Sequence, residues 1–191
     1  MERKSVAKRF ASKGVFPHQM AFTLLIPLRK IFLSPKQLAE RLGLNEDHTV
    51  LEIGPGPGFF SIKIAEKVNR GKLVLADIQE EMLEKAKNRI AKKRLTNVEY
   101  ELCDGKTLDF PDETFDRVFM VTVIGEVENK EDYVKEIFRI LKPGGILSIS
   151  ELAGDPDKVS IEELKELVLP YGFKFYKHFG SAKNYTINFI K

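Results

Sequence analysis

From residue 50 onward, short runs of β-branched and apolar residues alternate with stretches whose apolar positions recur every three or four residues. This is the pattern of parallel strands joined by crossover helices. Residues 50–53 open the series as a strand. Phe60, Ile64 and Val68, with Ala65 beside them, place one apolar stripe on a helix over 59–69, and 72–78 follows as a second strand. The cycle then repeats. Met82, Ala86 and Ile90 share one face of a helix over 80–94, with Lys85, Lys87, Lys92 and Lys93 off that face as a solvated surface, and 98–103 forms the third strand. A fourth strand is predicted over 115–123 and a helix over 133–141, with Val134, Ile137, Phe138 and Leu141 facing inward. Pro143-Gly144-Gly145 stops that helix ahead of a fifth strand at 146–152. Ile161, Leu164, Leu167 and Val168 mark a last helix, and the runs 173–180 and 185–190 make a closing hairpin, an antiparallel addition permitted at the edge of a parallel sheet. The expected fold is α/β and doubly wound, with seven strands.

Ahead of residue 46 the pattern is helical. Ser34-Pro35-Lys36-Gln37 matches a capping box with proline at the first helical position, and Gly43 is a stop. The segment 16–33 is more apolar than a surface helix needs, and it reads either as a helix packed on the domain's edge or as a lid over a ligand crevice. The chain thus divides into a helical extension, 1–46, and a main domain, 47–191.

With 191 residues, 43% of them apolar, there is material for one well-buried core. A net charge of +3 lacks the excess of a dedicated nucleic-acid binder, so nucleic acid is not an expected partner. That charge is uneven: Arg3, Lys4, Lys8, Arg9 and Lys13 against Glu2 give the first fourteen residues +4 and leave −1 for the rest. No small-residue cleavage site follows, so a solvated arm is expected rather than an organelle presequence, and the protein is expected to be cytoplasmic. Cys103 is the only cysteine, which excludes an intramolecular disulfide and a cysteine-cluster metal site. Its place in a predicted buried strand makes it core filler, and no metal is expected. The longest apolar stretch, 20–28, is about half the length a bilayer span requires.

Val50-Leu51-Glu52-Ile53-Gly54-Pro55-Gly56-Pro57-Gly58 is a strand running into a glycine-rich turn that opens a helix, the place where open α/β sheets bind ligands. A dinucleotide fingerprint would carry a small residue at position 59, where this chain has Phe59. Pro55 and Pro57 remove two N–H donors from a loop that would have to cradle pyrophosphate. Glu52 adds a carboxylate that repels phosphate and attracts an ammonium or sulfonium group. Asp77 ends the second strand, twenty-three residues after Gly54, where a carboxylate accepts hydrogen bonds from ribose hydroxyls. Asp104 follows the third strand, at the rim beside a base. Three acids at the ends of three successive strands suit a cationic nucleoside.

These residues resemble the class I S-adenosylmethionine (SAM)-dependent methyltransferases. Glu52-Ile53-Gly54-Pro55-Gly56-Pro57-Gly58 is similar to their motif I, Asp77-Ile78 to the ribose-binding acid and its neighbour, and Cys103-Asp104-Gly105 to the adenine-contacting turn. The segments 110–116 and 141–145 resemble those preceding strands 4 and 5 of the small-molecule, type 11 branch. The resemblance spans about residues 48–152 and implies a Rossmann-like sheet of order 3-2-1-4-5-7-6 with its last strand antiparallel. It further implies SAM as cofactor, S-adenosylhomocysteine (SAH) as product, and Glu52, Gly54, Pro55, Gly56, Gly58, Asp77, Ile78, Asp104 and Gly105 as cofactor-binding residues.

After the fourth strand many relatives carry one or two histidines, where this chain has Ile124-Gly125-Glu126-Val127. Glu126 is a candidate for orienting an acceptor or taking its proton, and equally for capping the next turn. His18, before the apolar segment, is a candidate for the acceptor site and otherwise a helix-start residue. The run after the fourth strand lacks the Asn/Asp-Pro-Pro-Tyr pattern of base-directed amino-methyltransferases. A small, partly apolar organic acceptor is the leading expectation, with a non-catalytic SAM-binding sensor or partner subunit, or an RNA methyltransferase, as alternatives.

Overall fold

β1 (Thr49–Ile53) is buried on both faces from Val50 onward, which suits it to the centre of the sheet. The computed structural model describes residues 33–191. β2 (Lys72–Asp77) and β3 (Val98–Leu102) lie on one side of β1, and β4 (Phe115–Val121) and β5 (Leu141–Glu151) on the other. β6 (Lys174–Ser181) and β7 (Asn184–Ile190) complete a seven-stranded sheet in the order β3-β2-β1-β4-β5-β7-β6. β1 to β5 run parallel, and β7 pairs antiparallel with both β5 and β6. The strand order reverses between β1 and β4, so the crevice of the fold opens above their carboxyl ends.

Among the described residues, five helices cover the sheet: α1 (Pro35–Leu42), α2 (Ser61–Lys67), α3 (Glu80–Ala91), α4 (Lys130–Ile140) and α5 (Ile161–Val168). Alternate strand residues feed two cores. Val50, Leu73, Leu75 and Phe119 pack with residues of α1, α2 and α3. Leu51, Val118, Leu147 and Phe189 pack with those of α4 and α5 on the other face. The expected capping box of α1 is present, with Gln37 N–H donating to Ser34 Oγ and Gly43 closing the helix at φ +58°. Arg41 donates to Thr186 Oγ1 at 2.8 Å and Asn188 donates to the Arg41 carbonyl at 2.7 Å, tying α1 to β7.

Three local expectations are corrected. The third strand is an edge strand with Glu99, Glu101 and Leu102 exposed, because only β2 pairs with it, and Cys103 just beyond it is half-buried. The fourth strand stops at Val121: Thr122 adopts φ +56°, and the chain turns into a single 3-10 turn, Ile124–Glu126. The helix before Pro143 ends at Ile140, since the residue ahead of a proline is driven out of the helical region. β5 then begins at Leu141, and Pro143-Gly144-Gly145 forms an irregularity inside the strand, between the pairs Phe115–Leu141 and Arg117–Ile146. The apolar segment 16–33 lies outside the described residues, apart from the buried Leu33. Among the described residues, no helix is long and apolar enough to cross a membrane.

Candidate functional site

The glycine turn grows directly out of β1. Gly54, Gly56 and Gly58 adopt φ of +64°, +53° and +74°, a conformation that L side chains rarely take, so the turn folds tightly and presents bare backbone. Each glycine N–H is already engaged: Gly54 donates to the Ala76 carbonyl at 2.8 Å, Gly56 to Asp77 Oδ2 at 3.2 Å, and Gly58 to the Pro55 carbonyl at 3.0 Å. Arg89 of α3 donates to the Pro57 carbonyl at 2.7 Å and fixes the far side of the turn.

Glu52 lies beneath this turn, only 3% exposed, and accepts a 2.6 Å hydrogen bond from Ser61 Oγ. Burial pushes its carboxyl up to about 8; the Ser61 hydroxyl opposes that shift and the charge of Asp77 adds to it. Glu52 is therefore mostly uncharged at neutral pH in the free protein. Asp77, the last residue of β2, accepts N–H groups from Gly56 and, at 3.0 Å, from Gln79. Burial raises its carboxyl, and the N–H groups of Gln79, Gly56 and Ile78 counter that effect. A carboxylate offers about four lone-pair sites, so Asp77 keeps capacity for hydroxyl groups of a ligand while it anchors the turn.

Ile78, next along the edge, is 42% exposed, and a Cβ at Gly105 would sit 3.1 Å from its Cγ2. The exposed Ile78 side chain lies against the Gly105 backbone and offers one apolar face to a flat heterocycle. Asp104 is exposed and turned inward on its own loop: Oδ1 accepts the N–H groups of Lys106 at 2.8 Å and Thr107 at 2.9 Å. Those two bonds hold its carboxyl below the usual range. Asp104 thus shapes the turn that carries Gly105.

On the β4 side, Glu126 ends the 3-10 turn and is partly exposed; the side chain that caps α4 is Asn129, accepting the N–H of Asp132 at 3.3 Å. His18 lies outside the described residues. The structure adds residues that the sequence pattern did not single out. Ser61 and Arg89 brace the turn, and Tyr133 of α4 is buried, its phenol raised by burial and by the charges of Cys103, Asp104 and Asp77. Glu151, at the end of β5, is buried as well. No periodicity flags Ser61 or Arg89, because both are polar and the apolar stripes of their helices do not include them.

The donor set decides what fits. With three glycine N–H groups engaged and two prolines lacking theirs, the turn has little to offer a pyrophosphate, whereas Asp77, the exposed face of Ile78 and the acid beneath the turn suit a ribose, a base and a cationic tail. The residues present therefore fit SAM.

Comparison with known proteins points the same way. A methyltransferase-domain family matches residues 44–176. The ubiquinone/menaquinone biosynthesis C-methyltransferase UbiE of Escherichia fergusonii is 34% identical over 141 residues, 73% of this chain and 55% of that protein; the chain spans about half the length of this relative. A SAM-dependent methyltransferase from Aquifex aeolicus superposes with a TM-score of 0.86 at 25% identity, over 92% of this chain and 99% of its own. The PH0226 protein of Pyrococcus horikoshii shares the fold at a TM-score of 0.77 and 19% identity, over 92% and 99% of the two chains.

Proposed function

The chain belongs to the class I SAM-dependent methyltransferases, and from that premise we propose that it transfers a methyl group to a small, partly apolar organic molecule, leaving SAH. SAM is the cofactor, and it supplies a methyl group already activated by a positively charged sulfur. The observation that carries the reading is the turn itself: its glycine N–H groups are spent internally, one of them on the Asp77 carboxylate that is placed for ribose hydroxyls.

Because the donor arrives activated, the protein's work is mostly placement. Asp77 and the exposed face of Ile78 hold the nucleoside end. Glu52 under the turn offers a carboxyl that ionises readily once a positive group approaches it. Holding an acceptor in line and excluding water can supply roughly 7–11 kcal/mol of barrier lowering. The UbiE relative, named as a C-methyltransferase of ubiquinone/menaquinone biosynthesis, supports an acceptor of small-molecule type.

Isothermal calorimetry tests the cofactor assignment: SAH is expected to bind, and NAD to bind far more weakly. Tight NAD binding with none for SAH would sink the reading. In the same assay Asp77→Ala is expected to weaken SAH by about 1.5–3 kcal/mol, or about 10- to 150-fold, the cost of losing hydrogen bonds to a charged group. Unchanged affinity in a folded variant would move the ribose contact elsewhere.

A further inference from the structure

The buried acids at the ends of β1 and β2 are provided for: Glu52 has Ser61, and Asp77 has backbone N–H groups. Glu151 differs. It is the last residue of β5, 1% exposed, and neither carboxyl oxygen has a hydrogen-bond partner. It stands one residue beyond the Val121–Ser150 pair, at the carboxyl edge where the crevice opens and where Thr122 N–H bonds the Ser150 carbonyl. A buried carboxyl left without a hydrogen bond is costly, and the polar groups beside it bond elsewhere. Tyr185, its cross-strand neighbour, gives its hydroxyl to the Val159 carbonyl. Lys158 donates to the carbonyls of Ala182 and Lys183 and lies over the Tyr185 ring.

We propose that Glu151 is a catalytic residue of the methyl transfer, its carboxylate receiving the proton of an acceptor that carries an O–H, N–H or S–H group. The proposal rests on the methyltransferase reading above. In the step, a lone pair on the acceptor atom forms the new bond to the methyl carbon. The sulfur–methyl bond breaks with its electron pair retained on sulfur. The acceptor's X–H bond breaks with its pair retained on X, and the proton passes to a Glu151 oxygen. The products are the methylated acceptor, SAH and a neutral Glu151, which returns its proton to water.

The groups facing Glu151 set when it can act. Burial pushes its carboxyl up to about 8, with the negative Asp155 and Glu126 adding to the rise and Lys158 opposing it. Glu126 comes from the turn after β4, and Asp155 and Lys158 from the connection to α5. The two walls meet closely, since a Cβ on Gly125 would collide with the Asp157 carbonyl. The carboxyl lies under the start of that connection, where Ala153 and Gly154 are exposed, nothing crowds Gly154, and Ala153 N–H donates to Asn184 Oδ1 at 2.8 Å. A base with a raised value near the working pH is what proton removal favours.

The test uses the full chain and its E151Q and E151D variants. In SAH-loaded protein at neutral pH, infrared spectra are expected to show a protonated-carboxyl band that is absent from E151Q. At least one of p-cresol, p-toluidine and 4-methylbenzenethiol should shift that band, and p-xylene, of the same shape without a removable proton, should not. With SAM, turnover of the shifting probe should fall about 100-fold or more in E151Q, with KM nearly unchanged. Activity should return in part in E151D, and the rise in rate toward pH 8 should be lost in E151Q. Absence of the band, no shift by any of the three probes, or E151Q turning over as fast as wild type would overturn the proposal. SAH calorimetry on the same samples separates the two possible failures. Wild type that does not bind SAH sinks the methyltransferase reading and this role with it; equal SAH binding with an unmoved band sinks the role of Glu151 alone.

Discussion

Gly54→Val is expected to lower stability by about 2–5 kcal/mol and to weaken SAH binding by about two orders of magnitude. Two independent costs meet at this position. Its φ of +64° lies in the left-handed region, where a β-branched residue is strongly disfavoured. A Cβ there would also stand 2.6 Å from Val123 Cγ2 and 3.2 Å from Cγ1, and valine is too stiff at χ1 to swing clear. Relief requires either the turn or the segment after β4 to move. Moving the turn breaks the bonds from Gly54 to Ala76 and from Gly56 to Asp77, the acid proposed to hold the ribose. Moving the β4 segment disturbs Thr122, itself held at φ +56° at the crevice. Calorimetry well below the variant's melting temperature, with circular dichroism confirming the fold, distinguishes lost binding from lost structure. Native-like SAH affinity would show that the turn does not shape the site.

How far the sequence disclosed this arrangement depended on whether burial was two-sided. β1 and β2 are buried on both faces and flanked by helices of clear period, so their positions and the acids at their ends were legible. β3 lies where the pattern predicts a strand but is exposed rather than buried, and its alternating Glu99 and Glu101 carry the sign of that edge position. The end of β4 and the start of β5 differ from the sequence pattern, the former for a tertiary reason. Val121-Thr122-Val123 is a β-branched run that local propensity extends as strand, yet the backbone turns at Thr122 to clear the glycine turn beneath it. A tertiary contact overrode local preference there.

The site followed the same division. Glu52 and Asp77 are visible as acids closing strands, and Glu151 bears the same mark in Ser148-Ile149-Ser150-Glu151, but no glycine motif follows it. Only the structure shows that its oxygens lack partners. Asp104 illustrates the limit of position alone: it stands where expected, with its carboxylate committed to Lys106 and Thr107. Ser61 and Arg89 carry no pattern, since their importance comes from what they touch across the fold.

Glu52 gives the second large effect, as a dependence of stability on pH. Its carboxyl stands at about 8 in the folded protein against an ordinary 4.5. Below about pH 4.5 both folded and unfolded chains hold the proton, and the residue favours neither. As pH rises from there toward 8, the unfolded chain releases its proton while the folded one keeps it, so unfolding gains and stability is progressively lost. Above pH 8 both are ionised and the full penalty of a buried charge remains. Glu52→Gln cannot ionise, yet its amide oxygen can still accept the Ser61 hydroxyl, so it escapes that loss. The difference in unfolding free energy, wild type minus Glu52→Gln, is therefore expected to fall by about 3–5 kcal/mol between pH 5 and pH 9 in urea melts. Glu151 is present in both proteins and cancels. Ligand binding adds a second readout: a positive group seated near the turn favours the ionised acid, so SAM should expel protons near pH 7 in wild type and fewer in Glu52→Gln. Calorimetry in buffers of different ionisation enthalpy measures that release. A stability difference that stays flat with pH would mean that Glu52 ionises in the fold as it does in water, and it would remove the carboxyl from its part in holding a cation.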